Sequence, residues 1–130
     1  MLEPGIRDLA RAKNFAALTF HLANGDAATH IMWVDADDEH VLVNTEIHRA
    51  KYRALTDRPR ATVTIWDASN PYHYGEVRGD VVGEVRGAEA RAHIDALSRK
   101  YNGTDYANPI QSERVILKIA PRRQILRGAH

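Results

Sequence analysis

The stretch Tyr72–Gly87, YHYGEVRGDVVGEVRG, constrains the fold more than any other part of the chain. Its polarity alternates with the period of two that marks a β-strand. Tyr74, Glu76, Arg78, Asp80, Glu84 and Arg86 fall on one face, and Gly75, Val77, Gly79, Val81, Gly83 and Val85 on the other. Glycines on the apolar face of a strand let a sheet curl tightly or let another backbone or a ligand come close. A strand this long and this rich in glycine predicts an antiparallel sheet that closes, or nearly closes, on itself.

The rest of the chain supplies the partners for that strand. Pro4 suits a first helical turn, and Ile6, Leu9, Ala10 and Lys13 give a short amphipathic helix. FAALTFHL reads as a strand, ANGD as a hairpin turn, and THIMWVD and HVLVNT as two further strands across the acidic turn ADDE. Helical spacing then runs from Thr45 to Asp57, with Ile47, Ala50, Ala54 and Leu55 on one face, and Pro59 ends it. RATVTIWD is a β-branched strand, and ASNPY is a loop leading into the long strand. A helix from Ala88 to Tyr101 turns Ala90, Ile94, Leu97 and Tyr101 inward and stops at Asn102-Gly103. RVILKIAP and RQILRG close the chain as two strands. About six or seven strands with two or three short helices predict a mainly β fold: a small antiparallel barrel.

The 130 residues suit one domain spanning 1–130, with no linker or low-complexity segment to divide it. No apolar run is long enough to span a bilayer, and the charged start MLEPGIRDLARAKN is no secretory signal. Cysteine is absent, which excludes disulfides and thiolate chemistry and fits a cytoplasmic protein. The seven histidines, His21, His30, His40, His48, His73, His93 and His130, are scattered singly, so no metal site is expected. There is no Gly-x-Ser-x-Gly elbow and no glycine-rich phosphate loop, and Ser69, Ser98 and Ser112 have no evident base.

One stretch offers chemistry. NTEIHRAKYRALTDRPR places Arg49, Lys51, Arg53, Arg58 and Arg60 between two strands, in a chain whose net charge is only +1. Glu46 and Asp57 interrupt the patch, and no aromatic platform accompanies it, so nucleic acid is excluded as a partner. Two readings stay open, a solvated helix face or a seat for one small anion. Thr45 as N-cap would leave free backbone N–H groups beside Asn44 and Arg49. Arg49 offers a bidentate fork and Lys51 a point charge, and both reach one anion only from an irregular first turn.

The runs MWVDADDEHVLVNTEIHRAKYRALTDRPRATVTIWD, NPYHYGEVRGDVV, ALSRKYNGTDY and ERVILKIAP resemble the pyridoxamine 5′-phosphate oxidase-like family. The similarity is to its branch of deazaflavin (coenzyme F420)-dependent reductases and flavin-binding relatives, and it extends from about Phe15 to Arg127. It implies an FMN-binding type of split β-barrel, antiparallel and dimeric, with cofactor sites at the interface of a homodimer. The resemblance places the ring against Thr29, His30 and Met32 on one strand and Asn44 and Thr45 on the next, and the phosphate on Arg49 and Lys51. It assigns Tyr72, His73 and Tyr74 to the partner subunit's contribution.

The activity implied is an oxidoreductase that transfers a hydride from coenzyme F420 to an electron-poor small molecule. The alternatives are an FMN-dependent oxidoreductase of the same fold and a flavin or F420 carrier without turnover. His30 and Tyr74, with Tyr72, are the candidates for a proton donor.

Overall fold

The two edges of the sheet dictate its shape. In the computed structural model, which describes residues 1–128, seven strands join in the order β2-β1-β5-β6-β7-β4-β3, all pairs antiparallel. They are β1 (Phe15–His21), β2 (Ala27–Met32), β3 (Asp35–Ala36), β4 (Val41–Glu46), β5 (Arg60–Asp67), β6 (Asn70–Arg86) and β7 (Arg114–Arg127). Helices α1 (Pro4–Arg11), α2 (Ala50–Asp57) and α3 (Ala88–Asn102) complete the fold. His130 lies outside the described residues.

β2 and β3 stand at opposite edges, yet only Trp33 and Val34 separate them in the chain. In a flat sheet these edges would be about 29 Å apart, whereas a two-residue link spans about 10 Å. The sheet must therefore curl until its edges meet, which gives the expected split barrel. Helix α3 fastens that seam. Trp33 stacks on Tyr101 with centroids 5.1 Å apart, and the Val34 N–H donates to the Tyr101 hydroxyl at 3.1 Å. The same hydroxyl donates to the Asn14 carbonyl, and Lys100 Nζ donates to Val34 O at 2.6 Å.

The barrel interior is aliphatic. Leu18, Val43, Val63, Ile65, Val77 and Ile119 are fully buried, and α1 lays Ile6 and Leu9 over it. Each such side chain contributes about 1.5–3 kcal/mol by leaving water. Gly75 admits α1: a Cβ there would lie 2.7 Å from Ile6 Cγ1. Gly103 takes φ +80° just beyond α3, the left-handed stop that Asn102-Gly103 predicts. Gly25 does the same for the β1–β2 hairpin at φ +91°, while Asn24 keeps a negative φ, so the loop is the three-residue kind.

Several boundaries differ from the sequence reading. THIMWVD is not one strand: β2 ends at Met32, because Trp33 and Val34 cross the seam. RVILKIAP and RQILRG form one strand, β7, whose register shift beside Arg122 absorbs Pro121 without breaking the ladder. ASNPY is only a tight turn at Ala68–Ser69, with β6 beginning at Asn70. The helix expected over 45–57 begins at Ala50, and Thr45 is not its cap. β4 pairs with β7 through Thr45–Val115 and Glu46–Arg114, so the ladder claims Thr45, and Arg49 becomes the N-cap residue without a side-chain cap bond.

The alternation of the long strand holds to its end at Arg86, across a register shift between Val81 and Gly83 where Val82 is exposed. Its glycines do not all act alike. A Cβ at Gly79 would strike the Ala120 carbonyl of the neighbouring strand, whereas Gly83 has open space. Gly79→Val is expected to cost at least about 1–3 kcal/mol through overpacking, with Gly83→Val nearly neutral. Chemical denaturation of the two variants checks this, and equal midpoints would show that the β6–β7 contact does not need a glycine.

Candidate functional site

A cleft of about 400 Å³ opens beside the seam, walled by β2, β4, the start of α2, α3 and the loop before β7. Its apolar wall includes Phe15, Met32, Trp33, Ile94 and Leu97. Its polar wall includes Asn44, Thr45, Arg49, Lys51 and Arg114. The strand-to-helix turn explains the cationic end. Arg49 keeps extended backbone (φ −75°, ψ 148°) before α2 begins, so its side chain and that of Lys51, one step into the helix, converge on one side. A regular helix would have sent them apart.

Lys51 is the least ordinary residue of the cleft. Its side chain is buried, 7% exposed, and it forms no ion pair among the described residues. Burial, then the charges of Arg49 and Arg114, push its pKa down to about 8. Thr45 Oγ1 is also buried against the cleft with no hydrogen-bond partner. A buried cation beside like charges and an orphaned hydroxyl are costly alone and fit an anionic, hydrogen-bonding ligand.

The carboxylate that pairs with Arg49 and Arg114 is already engaged. Glu46, 2% exposed, accepts the N–H groups of Gln111 (2.7 Å) and Ser112 (2.8 Å). Its Oε2 lies 3.5 Å from Arg114 and 3.7 Å from Arg49. Burial alone would raise its pKa, but those N–H groups and the Arg114 charge outweigh it and hold the carboxyl below its ordinary range. The sequence reading took Glu46 for an interruption of a surface patch. It is instead the buried counter-ion that ties Arg49 and Arg114 together.

Asn44, Thr45, Met32, Arg49 and Lys51 thus line one cleft. Asn44 has its amide occupied: Oδ1 accepts from Arg114 Nε (2.8 Å), and Nδ2 donates to Ala90 O and His93 Nδ1 (both 3.0 Å). Thr29 and His30 stand outside the cleft lining. Thr29 hydrogen-bonds Thr19 across β1–β2 at 2.8 Å on an exposed face. His30 sits edge-on to Phe20, centroids 5.1 Å apart, its pKa lowered by partial burial and then by Lys51 and Arg49. Tyr72, His73 and Tyr74 lie at the start of β6: Tyr72 is 81% exposed, His73 Nδ1 meets Asp67 Oδ2 at 3.2 Å, and Tyr74 pairs with Trp66.

Sequence reasoning missed Arg114, Tyr106 and His93. Arg114 heads the buried run RVIL and packs its guanidinium on the Tyr106 ring, 5.3 Å from the centroid. His93 lies three residues after Ala90 and four before Leu97, on the flank of the inward stripe of α3, and that spacing was the available signal. Ser112, which seemed to lack a base, meets His48 Nδ1 at 2.6 Å. With Glu46 bound to the Ser112 N–H, that contact fastens the turn before α2 to the loop before β7.

A curled barrel whose seam opens into a cleft with one apolar and one largely cationic wall defines a split-barrel protein. The family model described as pyridoxamine 5′-phosphate oxidase matches residues 2–127, and the chain belongs to that family. An F420 reductase superposes with TM-score 0.81 at 25% identity, over 95% of this chain and 98% of that one. A conserved hypothetical protein from Mycobacterium tuberculosis gives TM-score 0.71 at 21% identity, over 95% and 82%. A pyridoxamine 5′-phosphate oxidase-related, FMN-binding protein from Nostoc punctiforme gives 0.60 at 15%, over 91% and 75%, and these last two likenesses are of fold alone. Comparison with curated proteins gives no match. Among the described residues no helix is long and apolar enough to cross a membrane.

Proposed function

We propose that the protein is an oxidoreductase that holds coenzyme F420, with FMN as the alternative, in the seam cleft and acts on an electron-poor small molecule. The observation that carries this reading is Lys51, a buried ammonium beside Arg49 and Arg114 with no ion pair among the described residues, which a bound anion would compensate. Arg49 supplies a planar fork and Lys51 a point charge for the cofactor phosphate. The first turn of α2, which has no side-chain cap, leaves backbone N–H groups beside these side chains without a capping partner. The apolar wall excludes water from the ring, and the Thr45 hydroxyl is free to donate to it. Once bound, the cofactor supplies the hydride chemistry. The likeness to an F420 reductase over nearly all of both chains favours the deazaflavin.

Side-by-side titration with FMN and coenzyme F420 tests the reading. Arg49→Ala is expected to weaken the tighter ligand by about ten- to a hundredfold, the value of a charge-assisted hydrogen bond. Arg53→Ala, exposed on the same helix and outside the cleft, is expected to change nothing. Equal losses in both variants would leave only a diffuse positive field.

The reading includes a homodimer with Tyr72, His73 and Tyr74 reaching the cofactor of the partner subunit. Support comes from the outer sheet face, where Phe15, Trp66 and Tyr74 stand on neighbouring strands in register and Ile31 is 63% exposed. Phe15 and Ile31 also line the cleft, so that apolar face runs into the site. Sedimentation is expected to show a dimer at micromolar concentration. A monomer that still binds cofactor would remove the partner's residues from the site.

A further inference from the structure

A one-way hydrogen-bond chain runs beneath the cleft, through four elements of the fold. Arg114 Nε donates to Asn44 Oδ1 at 2.8 Å, and a guanidinium can only donate, so the orientation of the Asn44 amide is fixed. Both N–H groups of that amide are then committed, one to Ala90 O and one to His93 Nδ1, each at 3.0 Å. His93 Nδ1 must therefore accept, which leaves its proton on Nε2, facing Asp35 Oδ2 at 2.9 Å. A carboxylate can only accept, so both ends dictate the same polarity. His93 side-chain exposure is 12%, and no other tautomer satisfies this set of contacts.

Arg114 is where this chain reaches the cleft. It lines the cleft with Arg49 and Lys51, shares Glu46 Oε2 with Arg49, and rests on the Tyr106 ring. Arg49 is half exposed and sits on a turn; Arg114 is 6% exposed and is clamped. Of the two guanidiniums, Arg114 is the one with a preset direction. Preorganised donors bind more tightly than mobile ones because no rotamer freedom is lost on binding.

We infer that His93 is a positioning residue that acts through Asn44 to aim the Arg114 guanidinium at the phosphate end of the cleft, with Asp35 fixing the His93 tautomer. This rests on the reading of the cleft as a phosphate site. Asn44, by the same logic, works as a bracket between helix and strand rather than as a direct ligand of the phosphate. His93→Leu leaves one Asn44 N–H unpaired, so that only the Ala90 carbonyl and Arg114 orient the amide, and it loosens the acceptor that directs Arg114 Nε. His93→Gln can keep one acceptor for Asn44 and one donor for Asp35.

The experiment compares FMN with riboflavin, which has the same ring and no phosphate. His93→Leu is expected to weaken FMN about fivefold while leaving riboflavin affinity unchanged, the effect of one hydrogen bond lost at the phosphate end. His93→Gln is expected to stay near wild type. Equal FMN affinity in wild type and His93→Leu, or equal losses for both ligands, would overturn the role of His93. Wild-type affinity no greater for FMN than for riboflavin would instead overturn the phosphate reading, and this inference with it. A measurement on the unsubstituted protein stands beside these variants: nitrogen-15 NMR is expected to show His93 protonated on Nε2 and a slowly exchanging Arg114 Nε–H. An Nδ1-protonated ring would overturn the chain whatever the variants do.

Discussion

Lys51→Met is expected to make the ligand-free protein more stable and its hold on FMN or coenzyme F420 weaker. Burial, then Arg49 and Arg114, lower the Lys51 pKa from 10.5 to about 8 in the folded protein. Below about pH 8 the ammonium is charged in both the folded and unfolded chain, and the folded state bears the full penalty of a buried unpaired charge. Between about 8 and 10.5 the unfolded chain binds more protons than the folded one, so stability rises with pH across that window. Above it the penalty is gone.

A shift of this size corresponds to roughly 3 kcal/mol at neutral pH. Methionine keeps the unbranched stem without the charge, so the variant is expected to recover up to that amount. At roughly 3–4 °C per kcal/mol for a chain of this size, the melting temperature should rise by up to about 10 °C. The rise in stability between pH 8 and 10.5 should also flatten. Saturating cofactor should narrow the gap, since the wild type gains more from binding than the variant. A Lys51→Met protein that melts lower and keeps the wild-type pH slope would show that Lys51 is already neutralised within the protein.

The barrel was legible because its signals are local. Period-two alternation marked the long strand, Asn-Gly marked turn and helix stop, and Pro59 marked the end of α2. What was not legible depends on pairing at a distance. Nothing near Thr45 says that β7 will extend the β4 ladder through Glu46 and so take Thr45 from the helix. Arg49 and Lys51 were found through spacing and resemblance, but nothing in the sequence around Lys51 shows that its side chain will be buried. Glu46 looked like a surface acid among bases; its partners Gln111, Ser112 and Arg114 are some 65 residues away. His93 sat beside a visible inward stripe, yet its role appears only when β3 and β4 bring Asp35 and Asn44 to it.

Glu46 is therefore where the largest loss of stability is expected. Glu46→Ala removes the acceptor of two loop N–H groups and, among the described residues, the only carboxylate paired with Arg114, which is itself 6% exposed. Breaking a buried ion pair from one side costs about 3–5 kcal/mol, because the remaining charge stays in the interior without compensation. Glu46→Gln separates the two contributions: its carbonyl can still accept from Gln111 and Ser112, but its amide meets a guanidinium that has nothing to accept. An intermediate loss is expected, together with weaker cofactor binding as Arg114 and Arg49 repel one another without their shared oxygen.

The pH dependence carries the sign. The folded pKa of Glu46 lies below its ordinary value of 4.5, so its contribution is complete above that pH and is lost as the solution is acidified through the folded pKa. Acid unfolding monitored by tryptophan fluorescence should thus begin at lower stability in Glu46→Gln and show a shallower dependence below about pH 4.5. If Glu46→Gln matches the wild type across that range, the carboxylate charge contributes nothing, and Arg114 is held by Asn44 and Tyr106 alone.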